Sequence, residues 1–217
     1  MKAFAVLVSM FLAVHVYAAD TLKFNFNNEE ITKVVEIYSN ASGQKFVLDP
    51  GVRGKITILL PAAVTIDEAF NQLSSALAVN GFAIAKQGDT MVVMSARNIQ
   101  RNLVETTTEL PALKPERMVT YILTLKYVSA DEVNRNLRII PSKDGELSVF
   151  PHNNQIIITD WASNMQRIAA MMKELDKPAE ASATKVVAQA RKERDAKMGR
   201  MPKEPKFRAE ESESKNK

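Results

Sequence analysis

Proton-transfer chemistry in this chain would have to start from His152 and three acidic pairs, Glu29–Glu30, Asp67–Glu68 and Asp131–Glu132. His152 sits between Pro151 and Asn153, two turn formers, and no nucleophile, paired base or metal-binding cluster accompanies it. It reads as a solvent-facing turn residue. The only other histidine, His15, directly follows an apolar N-terminal run. Each acidic pair stands where an apolar-periodic segment begins. There carboxylates accept backbone N–H bonds and oppose the positive end of a helix, which is a structural task. With no cysteine and so little histidine, no metal-ligand spacing exists. Neither G-x-x-x-x-G-K-[ST] nor G-x-G-x-x-G occurs, so no phosphate-cradling loop is indicated. The sequence therefore predicts no catalytic residue, no cofactor, no metal and no small-molecule substrate.

The elements that would hold these residues fall into two blocks. Residues 21–97 open with "LKFNFN", where Leu22, Phe24 and Phe26 alternate with polar residues as in a half-buried strand. Ile31, Val34, Val35 and Tyr38 follow at helical spacing, with Asn27 and Glu30 as capping residues and Gly43 as the stop. "KFVLD" and "KITILL" read as strands on either side of Asp49-Pro50-Gly51-Val52-Arg53-Gly54. A second helix starts at a Thr65/Glu68 capping box, carries the stripe Ile66, Ala69, Phe70, Leu73 and Leu77, and stops at Gly81. A hairpin turning at Gly88-Asp89 closes the block.

Residues 98–117 contain Pro111 and Pro115 and read as a linker. Residues 118–177 give strand, helix, strand, strand, helix. Ser129/Glu132 and Ser163/Gln166 are the expected caps, and a turn falls at Asn153-Asn154. Met165, Ile168, Ala169, Met172 and Leu175 form the inward stripe of the last helix. The methionines are read as core, and Trp161, at a strand end, either as a half-exposed interface anchor or as packing over a helix start. The class is α+β, with two small domains.

Charge separates the folded blocks from the rest. Residues 179–217 carry 11 Lys or Arg against 7 Asp or Glu, whereas residues 20–178 carry 17 against 18. The basic excess thus lies in a charged segment, 178–217, that reads as a solvated, disordered tail. At the other end, Lys2, an apolar run over residues 3–14 and Val16-Tyr17-Ala18 read as a signal peptide, 1–18. Export without cysteine fits a periplasm in which stability comes from burial alone.

Two stretches carry a family resemblance. "FNFNNEEITKVVEIYSNASGQKFVLDPGVRGKITI" resembles the N0 domain of secretins, the outer-membrane channels of type II secretion and type IV pilus systems. Its turn sets Val47, Asp49, Pro50, Val52, Gly54, Ile56 and Thr57 in the family pattern, and "NGFAIAKQGDTMVVM" matches the strands that follow. "TLKYVSADEV" and "NNQIIITDWASNMQRIAAMMKELD" are similar to the secretin N1 domain. That domain has a KH-like βαββα order, but the matching turns "PSKDGEL" and "PHNNQ" lack the G-x-x-G of RNA-binding KH modules. With a nearly neutral folded part, nucleic-acid binding is not expected. The N0 fold is also similar to the signalling domain of TonB-dependent receptors. Residues 178–217 show no alternating strands of the kind that build a barrel wall.

The resemblance implies a non-enzymatic periplasmic protein that works through protein contacts. It would join a homo-oligomeric ring or a partner secretin, meet an inner-membrane secretion component, and reach the outer membrane through a partner. The expected contact residues are Lys23, Phe24, Asn25, Phe26 and Asn27 on the first strand, Arg53 on the turn, and Arg167 and Lys173 on the last helix. The alternative is a freestanding periplasmic signalling or adaptor module.

Overall fold

A computed structural model of the protein describes residues 21–198; the expected signal peptide lies outside them. Two hydrophobic cores organise residues up to Asp176. The first lobe comprises β1 (Thr21–Leu22), β2 (Phe26–Glu30), α1 (Ile31–Ser42), β3 (Lys45–Leu48), β4 (Lys55–Ile58), β5 (Val64–Thr65), α2 (Ile66–Val79), β6 (Phe82–Gln87) and β7 (Thr90–Ser95). Its strands form a mixed sheet in the order β3-β7-β6, parallel then antiparallel, and two antiparallel ribbons, β2-β4 and β1-β5. Ile31, Val34, Val35 and Tyr38 of α1 meet Ala69, Leu73 and Leu77 of α2 in the core. Phe24 lies at its centre, edge-on to Phe26 at 4.8 Å and to Tyr38 at 6.0 Å. Burial of the Tyr38 ring raises the pKa of its hydroxyl.

The Asp49–Gly54 turn is built from local bonds. Asp49 Oδ1 accepts from the Gly51 N–H at 2.8 Å, and the Asp49 carbonyl accepts from the Val52 N–H at 2.9 Å. Gly54 has φ +121°, a conformation that favours glycine, and its carbonyl accepts from the Ile31 N–H at 3.1 Å. The turn thus fixes the first helix as well as joining two strands.

That bond displaces the expected cap of α1. The strand runs on to Glu30, with a bulge after Phe26 at Asn28 (φ +56°), so Asn27 and Glu30 form no capping box. Glu29 pairs instead with Lys33 at 3.2 Å, and no acidic residue lies in the first turn of α1. The cap at Thr65 forms as expected, its hydroxyl accepting from the Glu68 N–H at 3.2 Å. Gly43 and Gly88 take the left-handed conformations their turns require, with φ +69° and +60°.

The chain continues through α3 (Ala96–Asn102), β8 (Glu105–Thr107), β9 (Met118–Thr124), α4 (Ala130–Leu137), β10 (Glu146–Phe150) and β11 (Gln155–Trp161) to α5 (Ala162–Leu175). The second sheet has the order β10-β11-β9-β8. Val119, Tyr121, Leu123, Ile156 and Ile158 turn one face toward Met165, Ile168 and Met172 of α5 and Val133 of α4. The opposite face carries Thr120 and Thr159, whose hydroxyls are 2.8 Å apart. Contrary to the expected stripe, Leu175 is 45% exposed.

Residues 98–117, expected as a linker, hold the end of α3 and the strand β8, which pairs in parallel with β9. The two lobes are also packed together. Ala83, Ala96, Ile99, Met118 and Trp161 form a third apolar cluster drawn from both. Arg97 Nη2 donates to the Lys143 carbonyl at 3.0 Å, and Gln100 Nε2 to Glu146 Oε2 at 3.2 Å. Trp161 is therefore buried as the residue that starts α5.

Neither expected cap of the second block forms. Asn154, left-handed at φ +51°, accepts from the Ala130 N–H at 2.7 Å and donates to the Leu125 and Val128 carbonyls. At α5 the Ser163 N–H goes to Glu116 Oε1 at 3.2 Å, and Gln166 Nε2 goes to the Pro111 carbonyl at 2.6 Å. In both places a group remote in sequence supplies what a local side chain was expected to supply.

Beyond Asp176, residues Ala181–Met198 form α6, a helix within the segment expected to be disordered. Its described side chains are exposed, and alanine and long charged residues, which lose little rotamer freedom in a helix, dominate its sequence. No described helix is long and apolar enough to cross a membrane.

Candidate protein-contact surfaces

The expected contact residues divide by lobe. On the first, Lys23, Asn25 and Asn27 are exposed and Phe26 is half-buried. Phe24 is wholly buried, so it holds the segment to the core and presents nothing to a partner. The segment is not one continuous strand: residues 23–25 lie between β1 and β2, and Asn25 Nδ2 donates to the Leu60 carbonyl at 3.2 Å. Arg53 is exposed, but its Nε donates to the carbonyl of Pro50 in its own turn at 3.3 Å. With Glu30, Thr32 and Lys55 it lines an open cavity of about 360 Å³.

On the second lobe, Arg167 and Lys173 both lie on α5 but serve different places. Arg167 is engaged, donating from Nε to Asn164 Oδ1 and from Nη2 to the Ile140 carbonyl, each at 2.7 Å. Lys173 stands at the lip of a groove of about 590 Å³ between β9 and α5. Tyr121, Leu123, Ala169, Ala170 and Met172 make its apolar walls, and the exposed side chains of Leu110 and Tyr127 also line it. Burial raises the pKa of the Tyr121 hydroxyl. The groove was not foreseen from the sequence. Its one sequence-level signal is the pair Ala169-Ala170 beside an apolar stripe, small residues that leave room next to a core.

Asp176 ends α5 at the edge of this groove. Its carboxylate accepts from the backbone N–H groups of Lys126, Tyr127 and Val128, at 2.8, 2.7 and 3.1 Å. Burial pulls the Asp176 carboxyl upward. The bonds from Tyr127, Lys126 and Val128, with the Lys126 charge, outweigh that and hold it below the usual carboxylate range. A carboxyl lowered in the folded state stabilises fully above its unfolded value and loses that contribution as pH falls through the folded value. Unfolding in urea should therefore come at lower denaturant as pH drops below about 4. Asp176→Asn should flatten that dependence, as followed by circular dichroism. An unchanged acid profile in the variant would remove Asp176 from the account.

Chemistry-bearing groups are placed as follows. His152 is exposed at the hairpin tip, edge-on to Phe150 at 5.7 Å. Asp67 and Glu68 lie in the first turn of α2, and Asp131 and Glu132 in that of α4. Bonds from Gln72 and Asn71 lower the pKa of Glu68. Among the described residues, no group of three His, Cys, Asp or Glu side chains could hold a metal ion. What the surface offers is grooves and strand edges.

Comparison with known proteins agrees in both lobes. A family described as "GspD-like, N0 domain" matches residues 24–93, and one described as "Bacterial type II/III secretion system short domain" matches residues 120–181. Secretin XcpQ of Pseudomonas aeruginosa is 25% identical over 152 residues, covering 70% of this chain and 22% of that protein. Secretin XpsD of Xanthomonas campestris is 28% identical over 161 residues, covering 65% and 21%. The chain thus spans about a fifth of the length of these relatives. Among solved structures, the Klebsiella pneumoniae type II secretion outer membrane complex of PulD, PulS and the PulC HR domain aligns with a TM-score of 0.62 at 20% identity, covering 70% of this chain and 26% of that one.

Proposed function

Because the chain belongs to the secretin family, whose periplasmic N-terminal domains its two lobes match, we propose that it is a non-enzymatic, periplasmic component of a type II secretion or type IV pilus apparatus. It acts by holding other proteins, either as part of a ring or bound to a partner secretin, and by meeting an inner-membrane component. The observation that carries this is the order of the two matched domains, residues 24–93 followed by residues 120–181. The PulD structure, determined together with PulS and the PulC HR domain, supports such partners. The surfaces for these contacts are the exposed Lys23, Asn25 and Asn27 with Arg53 on the first lobe, and the α5 face that carries Arg167 and Lys173 on the second. Residues 1–18 are removed on export.

The test is isolation of the tagged chain from envelopes of its own cells, followed by identification of what accompanies it. Secretion or pilus components should be recovered with it, and their absence would overturn the proposal.

A further inference from the structure

The groove between β9 and α5 lies beside an unfinished strand edge. β8 pairs with β9 only at Val119, Thr120 and Tyr121. At Thr107 the chain turns off the sheet: the Glu109 N–H bonds to Thr107 Oγ1 at 3.0 Å, and Gln166 then holds the Pro111 carbonyl against α5. No strand among the described residues follows β8 along Ile122, Leu123 and Thr124. An open edge offers backbone donors and acceptors to an added strand. Leu123 and Thr124 also line the groove, so edge and apolar cleft form one continuous surface.

Charge selects the occupant. Lys126 and Lys173 flank the cleft, both exposed, and neither belongs to an ion pair among the described residues. The one carboxylate among the described residues that line the groove, Asp176, accepts from three backbone N–H groups and feels the Lys126 charge. An incoming chain therefore meets two cations above an apolar floor.

We propose that this groove receives an extended, acidic segment of a partner protein, added as a strand beside Ile122–Thr124 with an apolar side chain in the cleft and carboxylates at Lys126 and Lys173. This rests on the reading that the chain works through protein contacts, and it names the chemistry of one such contact. Strand addition uses the partner's backbone, the cleft accepts alternate side chains, and the lysines set the sign of the charge that is tolerated.

The probe is a fluorescein-labelled seven-residue peptide alternating valine with glutamate, titrated with the whole protein and followed by anisotropy. A peptide alternating valine with lysine, and a glutamate peptide with a central proline, serve as controls. The glutamate peptide should bind at least about tenfold more tightly than either control, because like charge and loss of a strand donor both oppose docking. Lys173→Glu should abolish the charge preference, and Ala170→Trp, which fills the cleft and leaves its charge unchanged, should abolish binding of the glutamate peptide. Unchanged circular dichroism in both variants keeps the result about the surface. Equal binding of the two charged peptides, no binding, or indifference to Lys173→Glu would each overturn the proposal. So would self-association of the protein that Ala170→Trp prevents, since the occupant would then be a second copy. If the peptide fails while envelope components still accompany the chain, only the groove assignment falls.

Discussion

Asp160→Ala should lower the free energy of unfolding by about 3–5 kcal/mol, the range expected when a buried, fully bonded charged group is removed and its partners are left unpaired. Asp160 is wholly buried. Its two oxygens accept from the Ser142 N–H at 2.7 Å, the Ser142 hydroxyl at 2.6 Å, the Trp161 N–H at 2.8 Å and Asn164 Nδ2 at 2.5 Å. They therefore pin the 142–145 turn to the start of α5. The turn fits closely: a Cβ on Gly145 would lie 2.6 Å from Asp160 Cγ, which explains the glycine there. Asp160→Asn keeps the volume but turns one acceptor into a donor facing other donors, so it should cost about 2–3 kcal/mol. Trp161 is the one tryptophan of the chain, and its emission in a urea titration reports the change directly. A loss below about 1 kcal/mol for Asp160→Ala would show that these bonds add no more than an average neutral one.

Trp161→Ala tests whether the two lobes are one folding unit. The indole lies against Met118 of β9, Ile99 and Ala96 of α3 and Ala83 of β6, so its removal empties the cluster that spans both lobes. A large-to-small change at a buried aromatic costs about 3–5 kcal/mol. Because each lobe retains its own core, the expected result is not only lower stability but two separable transitions by circular dichroism where the parent shows one. A single transition at nearly the parental midpoint would mean that the lobes are coupled elsewhere, through β8 and the Arg97 and Gln100 bonds.

What the sequence revealed of this architecture depended on how local the determinant was. Gly43, Gly88 and the Thr65 cap act within a few residues, and each is where periodicity and turn chemistry place it. The Asn27, Ser129 and Ser163 caps were expected by the same rules and do not form. The Gly54 carbonyl, Asn154 and Glu116 reach those helix starts from 23, 24 and 47 residues away. Strand β8 escaped notice for a related reason: three residues, Glu105–Thr107, become a strand only because β9 lies beside them. The proline-bearing stretch thus read as a connector, although it completes a sheet and helps to seal one lobe to the other.

The candidate surfaces were legible only in part. Exposure of Lys23, Asn25, Asn27, Arg53, Arg167 and Lys173 agrees with their polar character, whereas Phe24 followed from strand alternation that placed it inside all along. The β9–α5 groove draws on Leu110, on residues 121–127 and on residues 166–176, and no short window of sequence contains it. Arg167 and Lys173, six positions apart on one helix, face different tasks because Asn164 and the Ile140 carbonyl capture the first.

The most direct test of the central claim is the mass and composition of the assembly that carries this chain in gently solubilised envelopes. A protein that works by holding others should migrate in a complex well above its own 24.1 kDa and bring secretion or pilus components with it. Recovery of a lone monomer, unaccompanied by any envelope protein, would contradict the account.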